Sequence, residues 1–340
     1  MNANGAVRIG LIGAGRIGQL HAEHLVYRIS RAKLKAVADV YGPAADALAG
    51  RFNIPDVYED PAPIFEDPNI DAVVICSSTD THSLFIERAA AAGKHIFCEK
   101  PIDFDLKKID RALQAVEHAG VRLQIGFNRR FDPHFSHAYN AIASGQVGTP
   151  QLLRITSRDP APPPLEYIKV SGGLFLDMTI HDFDMARFLM QSEVTEVFAF
   201  GDVLVDPQIG QAGDIDTAVI TLKFENGALG TIDNSRKAVY GYDQRAEVLG
   251  SEGMVVVENP LSHQTQFARK EGFSTPPLMD FFMERYTESY IQEMSEFVAC
   301  LRQGQAPPVT GIDGRIPVVM GLAAKKSLEE QRPVRLSEID

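Results

Sequence analysis

Asp177, His181 and Asp184 stand at spacings of four and three residues within the stretch Gly172–Leu189, GGLFLDMTIHDFDMARFL. Read as a helix, the stretch presents all three on one face. Leu174, Phe175, Met178, Phe183, Met185, Ala186 and Leu189 supply apolar surface on more than one side, which predicts a buried helix. Ionisable groups are seldom buried without a partner or a task. A carboxylate one turn below an imidazole can hydrogen-bond it, fix its tautomer and raise its basicity, which suits a general base. The plain alternative is a polar seam in a domain interface, since structural ion pairs show the same pattern.

A second chemical group lies upstream. In Glu99-Lys100-Pro101 a strand end delivers a Lys, and Pro101 fixes the exit of the chain. An amine there could donate to a hydroxyl oxygen and stabilise the alkoxide formed during oxidation. The alternative is a surface Lys in a loop, which is what most lysines are.

The elements that must position these groups begin with the strand Val7–Ile12. It runs into Gly13-Ala14-Gly15-Arg16-Ile17-Gly18 and then into a helical pattern. This is G-x-G-x-x-G in its proper setting of strand, tight turn and helix start. The first glycine permits the turn, the second admits a pyrophosphate to the backbone, and the third lets helix and strand pack closely. A second strand, Leu34–Ala38, closes on Asp39, the acidic residue the fingerprint requires about 20 positions on. Asp39 would accept from the adenosine ribose hydroxyls and repel a 2′-phosphate. With Val40 and Tyr41 following and no Arg, NAD is favoured over NADP.

Strand and helix patterns then alternate to Gly126, which predicts a parallel sheet covered on both faces. Ligands bind such sheets at the carboxyl ends of the strands. That rule selects the loops 13–18, 77–82, 99–101 and 127–130. Besides the glycine turn, it puts Ser77, Thr79, His82, Glu99 and Lys100 near the cofactor. Asp80 reads as capping chemistry.

The second half reads differently. After a helix over Phe131–Ser144 and a strand over Gln151–Ser157 comes the Pro-rich run 158–164, a wall or lid of the pocket or else a rigid connector. Strand-like runs follow at Val194–Phe200, Thr217–Phe224, Ala228–Ser235, Arg245–Leu249 and Met254–Val257, with Asn226-Gly227 as a hairpin signal. Consecutive antiparallel pairing is expected. Two long helical patterns close the chain, Phe281–Gln303 and Ile312–Gln331. The expected division is a nucleotide-binding domain over residues 1–126 and a substrate and oligomerisation domain over 127–340. Arg130, Asp159 and Tyr240 join Lys100, Asp177 and His181 as candidates for substrate hydroxyls. For Arg130 an ion pair with Asp132 or another carboxylate is the competing reading.

Composition narrows the class. The chain has 340 residues and a net charge of −12, from 33 Lys and Arg against 45 Asp and Glu. Nothing basic is concentrated enough to grip nucleic acid, and no apolar run approaches a membrane span. The start, MNANGAVRIG, lacks the layout of a signal peptide and reads as a short disordered lead. Cys76, Cys98 and Cys300 are too few and scattered for a disulfide framework or zinc site; a reducing, cytoplasmic setting fits.

The G-x-G-x-x-G turn, the E-K-P tripeptide and the G-G-x-F-x-D-M-x-x-H-D stretch, in this order and spacing, resemble the Gfo/Idh/MocA oxidoreductases over nearly the whole chain. GFNRRFDPHF and FLDMTIHDFDMARFL look most like the inositol-oxidising members. The resemblance implies a Rossmann domain, then an α/β domain on a large, mainly antiparallel open sheet, and commonly a tetramer. It implies Lys100, Asp177 and His181 as the catalytic trio, NAD as cofactor, and oxidation of a cyclic polyol hydroxyl to a ketone. An NAD-dependent aldose dehydrogenase is the enzymatic runner-up, and an NAD-binding regulatory relative the non-enzymatic one. A metal enzyme using Asp177, His181 and Asp184 is disfavoured, because a nicotinamide site already accounts for the trio, and no metal is expected.

Overall fold

The protein is described by a computed structural model over residues 5–339, so the expected N-terminal lead falls largely outside the described residues. They form two compact units. One runs to Phe131 and includes Glu288–Ile316; the other comprises Asp132–Thr287 and continues from Pro317.

The first unit is a six-stranded, wholly parallel sheet. Its strands are β1 (Val7–Ile12), β2 (Ala32–Ala38), β3 (Asp56–Tyr58), β4 (Ala72–Ile75), β5 (His95–Glu99) and β6 (Leu123–Gly126), in the order β3-β2-β1-β4-β5-β6. The four residues of β4, AVVI, are all buried, as a strand covered on both faces demands. The order reverses between β1 and β4, the crevice where open α/β sheets take ligands. β3 escapes the sequence pattern because its three half-buried residues, DVY, carry no periodicity.

The division of the chain differs from the single cut expected after residue 126. The helix Thr287–Gln303 puts Met294, Phe297, Val298 and Leu301 into the same core as Val7, Ile9 and Leu11 of β1. An apolar stripe at helical spacing announces that a helix is half-buried; it does not say against which core.

The second unit is built on a seven-stranded sheet in the order β12-β11-β7-β10-β9-β8-β15. The strands are β7 (Pro150–Arg158), β8 (Val194–Asp202), β9 (Thr217–Phe224), β10 (Leu229–Ser235), β11 (Asp243–Gly250), β12 (Met254–Val257) and the short β15 (Val334–Arg335), with an exposed hairpin of β13 (Phe267–Arg269) and β14 (Gly272–Ser274) apart from them. Asn226-Gly227 does turn β9 into β10, with Gly227 at φ +86°. Antiparallel pairing of neighbours holds for β8–β9–β10 and β11–β12, but β7 inserts between β10 and β11 and runs parallel to β10. Along β9, Ala218, Ile220, Leu222 and Phe224 are buried while Val219, Thr221 and Lys223 are exposed, so one face is covered. The helix Thr179–Met190 packs on this sheet against β7 and β10.

That helix is not the single element expected over Gly172–Leu189. It divides into a turn, Leu174–Asp177, and the helix Thr179–Met190, with Met178 at φ −98°, ψ −58° between them. Asp177 ends the first piece and His181 lies in the opening turn of the second.

Candidate active site

The glycine turn has the geometry its spacing predicts. Gly13 takes φ +101°, and a Cβ on it would lie 2.5 Å from the Cys76 backbone. A Cβ on Gly18 would fall 2.0 Å from the Gly13 carbonyl oxygen, so helix and strand pack as closely as a residue without a side chain allows. Gly15 is the opposite case: nothing lies within 4 Å of where its Cβ would be, which leaves the backbone open to a pyrophosphate. Arg16 and Ile17 begin the following helix, Arg16 exposed and Ile17 packed against the core. Asp39 directly follows β2, with one oxygen accepting from Ala14 N–H at 2.6 Å and the other from Tyr41 N–H at 2.8 Å. The carboxylate is thereby fixed beside the turn, with Val40 and Tyr41 exposed next to it. These residues fit an adenine dinucleotide: a bare backbone at Gly15 and an anchored acid at the neighbouring strand end.

Lys100 follows β5, half-buried, and the Lys100–Pro101 peptide is cis. In the second unit, Asp177 has two donors that lie far from it in sequence. Tyr167 O–H donates to Oδ1 at 2.8 Å, and Arg236 Nη1 donates to Oδ2 at 3.1 Å. Arg236 also reaches Asp214 Oδ2 at 3.4 Å. Sequence reading missed Tyr167, Arg236 and Asp214. Arg236 follows the strand Leu229–Ser235 directly, and nothing local names its partner. His181 is half-buried, and the adjacent Asp182 is fully buried and accepts from Asn234 Nδ2 at 2.8 Å.

The two units correspond to two matched families. Residues 7–127 match the oxidoreductase family GFO/IDH/MocA, NAD-binding Rossmann fold. Residues 135–256 match the GFO/IDH/MocA C-terminal domain. The chain belongs to the Gfo/Idh/MocA oxidoreductases.

Among members of this family, the myo-inositol 2-dehydrogenase of Thermotoga maritima is 51% identical over 98% of this chain and 99% of its own length. The inositol 2-dehydrogenase of Rhizobium meliloti is 47% identical over 97% of this chain and 99% of its own. A crystal structure of scyllo-inositol dehydrogenase from Lactobacillus casei, with NAD(H) and scyllo-inositol bound, is similar with a TM-score of 0.92 at 31% identity. It covers 98% of this chain and 99% of that one. As a Gfo/Idh/MocA enzyme the protein is an NAD-dependent oxidoreductase whose first unit is the NAD-binding Rossmann fold.

Within this Gfo/Idh/MocA chain the remaining expected residues take several roles. Ser77 Oγ and Thr81 Oγ1 are 2.7 Å apart at the start of the helix Thr79–Ala91. His82, in that helix, is buried, with Nδ1 2.8 Å from the Pro101 carbonyl oxygen and Nε2 3.0 Å from that of Ser77. It braces the loops after β4 and β5, and burial pushes its pKa down. The Glu99 side chain meets His21 Nε2 at 2.8 Å inside the unit. Arg130 takes the competing reading, an ion pair, with Asp313 at 2.9 Å and not with Asp132, which Arg285 engages at 2.6 Å. Asp159 N–H donates to the Ser235 carbonyl oxygen at 2.9 Å. Tyr240 is half exposed, donates to Asp243 at 2.7 Å and accepts from Arg158 at 2.9 Å, whereas Tyr242 is packed edge-on to Tyr286. Among the described residues, the acid and imidazole groups close enough to share a cation are His21, Glu99 and Glu293, not Asp177, His181 and Asp184. No described helix is long and apolar enough to cross a membrane.

Proposed function

We propose that this protein is an inositol 2-dehydrogenase, oxidising one hydroxyl of myo-inositol with NAD to give the ketone scyllo-inosose. The observation that carries the reading is end-to-end identity of 51% with a myo-inositol 2-dehydrogenase, in a chain that has Lys100, Asp177 and His181 all in place.

NAD, when bound, supplies the acceptor for the hydride. The residues that would hold it are the turn Gly13, Gly15, Arg16, Ile17 and Gly18, with Asp39 available to accept from ribose hydroxyls and Ser77, Thr79 and the Glu99–Lys100 segment at the strand ends. The chain's other residues manage proton and charge. His181 takes the proton of the reacting hydroxyl, and Lys100 donates to the same oxygen as negative charge develops on it. Asp177 holds the imidazole in orientation and stabilises its charged form. Lys100 and His181 act as one coupled set in receiving that proton. Arg130, Asp159 and Tyr240 are the candidates for the remaining hydroxyls; Arg130 and Tyr240 would exchange a protein partner for the substrate.

The same reading extends to assembly and setting. Phe200, Val219 and Leu229 are exposed on the second unit's sheet, and a further copy of the chain packed there would bury them, which supports a homo-oligomer and, with the family, a tetramer. Three buried free thiols support a reducing, cytoplasmic location, and oxidation of an inositol as the reaction supports a place in polyol catabolism. The test is initial-rate reduction of NAD with a panel of inositols and aldoses. Myo-inositol should be the fastest substrate; faster reduction by glucose overturns the assignment in favour of an aldose dehydrogenase.

A further inference from the structure

The Asp177 carboxylate is gripped from two directions. Arg236 comes from the interior: it is 1% exposed, and its fork spans Asp177 Oδ2 at 3.1 Å and Asp214 Oδ2 at 3.4 Å. A guanidinium is tolerated at such depth only where carboxylates meet it. Asp214 is itself tied to the turn that carries Asp177, since its Oδ1 accepts from Leu174 N–H at 2.9 Å. Gly173 makes that contact possible, because a Cβ there would lie 2.8 Å from the same oxygen. Arg236, Asp214 and the turn Leu174–Asp177 thus form one closed circuit ending on the carboxylate.

Tyr167 comes from the other side. It lies in the short helix Leu165–Ile168, directly after the Pro-rich run, and is 48% exposed. Its hydroxyl donates to Asp177 Oδ1 at 2.8 Å. Partial desolvation and the charge of Asp177 push its pKa up, so it remains a donor throughout the neutral range. Each Asp177 oxygen therefore has its own donor, one charged and buried, the other neutral and reachable.

We propose that Arg236 and Tyr167 are positioning residues for the oxidation, fixing the rotation of the Asp177 carboxylate so that it serves His181. The inference rests on the role assigned above to Asp177. A carboxylate that turns freely spends part of its time misdirected, and that disorder must be removed at each turnover; here two fixed donors remove it beforehand. Both donate to the Asp177 carboxylate, so on this proposal both act through it.

The test uses the full-length enzyme with myo-inositol and saturating NAD. Tyr167→Phe keeps the ring and deletes only the donor. It should lower kcat by about tenfold while the KM for myo-inositol stays within about threefold. Arg236→Lys, which keeps the charge and loses the fork, should lower kcat at least as far and leave the Kd for NAD unchanged. The decisive comparison is made in single turnovers at high enzyme concentration. In an Asp177→Asn background, Tyr167→Phe should change the rate by less than about twofold. An equal loss in both backgrounds, or a loss confined to KM, overturns the proposal. Failure of the functional reading is visible separately, as absence of turnover by the unmutated enzyme.

Discussion

Replacing Glu293 by Gln should stabilise the protein progressively as pH rises. Glu293 sits in the helix Thr287–Gln303, fully buried, and neither carboxyl oxygen has a hydrogen-bond partner among the described residues. Its nearest ionisable neighbours are His21 and Glu99, which are joined to each other at 2.8 Å. Burial first, and then the negative charge of Glu99, push the Glu293 pKa well above the carboxylate range. A proton, not a cation, suits the gap, because His21 Nε2 and Glu99 Oε1 already share one hydrogen bond. The sign follows from linkage. In the unfolded chain Glu293 loses its proton near the ordinary value of about 4.3, while the folded protein retains it. The native state then binds one more proton than the unfolded state, so stability falls as pH rises. This contribution is complete below the unfolded value and is lost on the way up to the folded one.

One group gives a slope of about 1.4 kcal/mol per pH unit. Gln is nearly isosteric, neutral at every pH and free of that slope. Above the unfolded value the variant should therefore gain stability over wild type as pH rises, at up to that slope for as long as the folded Glu293 keeps its proton. Paired urea denaturation curves at constant ionic strength measure the difference; His21 and Glu99 are present in both proteins. A difference that stays flat with pH, or that grows in favour of wild type as pH rises, would refute the argument. The second outcome, abolished by chelation, would instead mean that His21, Glu99 and Glu293 hold a divalent cation.

Two further outcomes test the first unit. Lys100→Met should abolish turnover while the Kd for NAD, followed by fluorescence titration, stays within about threefold, because the amine serves the alkoxide and not the dinucleotide; loss of both together would place the residue elsewhere. Gly18→Ala puts a methyl 2.0 Å from the Gly13 carbonyl oxygen. It should destabilise the protein by about 1–3 kcal/mol in thermal melts and weaken NAD binding together with it; an unchanged melting temperature would mean that the turn is not held as closely as described.

What the sequence determined by itself was local. Gly13, Gly18 and Asp39 are legible because the turn they form is decided by sterics and hydrogen bonds within one βαβ unit. Asn226-Gly227 is legible for the same reason, since two residues select the hairpin. The parallel sheet follows from strands buried on both faces, whose apolar runs need no knowledge of what covers them. Choices among distant partners were decided only by the tertiary structure. Asp177 was expected to look along its own helix, yet its donors include Tyr167 and Arg236, 10 and 59 positions away. For Arg130 the sequence leaves open a substrate hydroxyl, Asp132 or another carboxylate, and the fold supplies Asp313, 183 positions on. The helix Thr287–Gln303 announces an apolar stripe, but only packing assigns it to the core of β1. β7 enters between β10 and β11 for a similar reason: pattern fixes which face of a strand is buried, not which edges it joins. The backbone settles its own torsions within a few residues, whereas a charge or an apolar face is satisfied by whatever the whole chain brings to it.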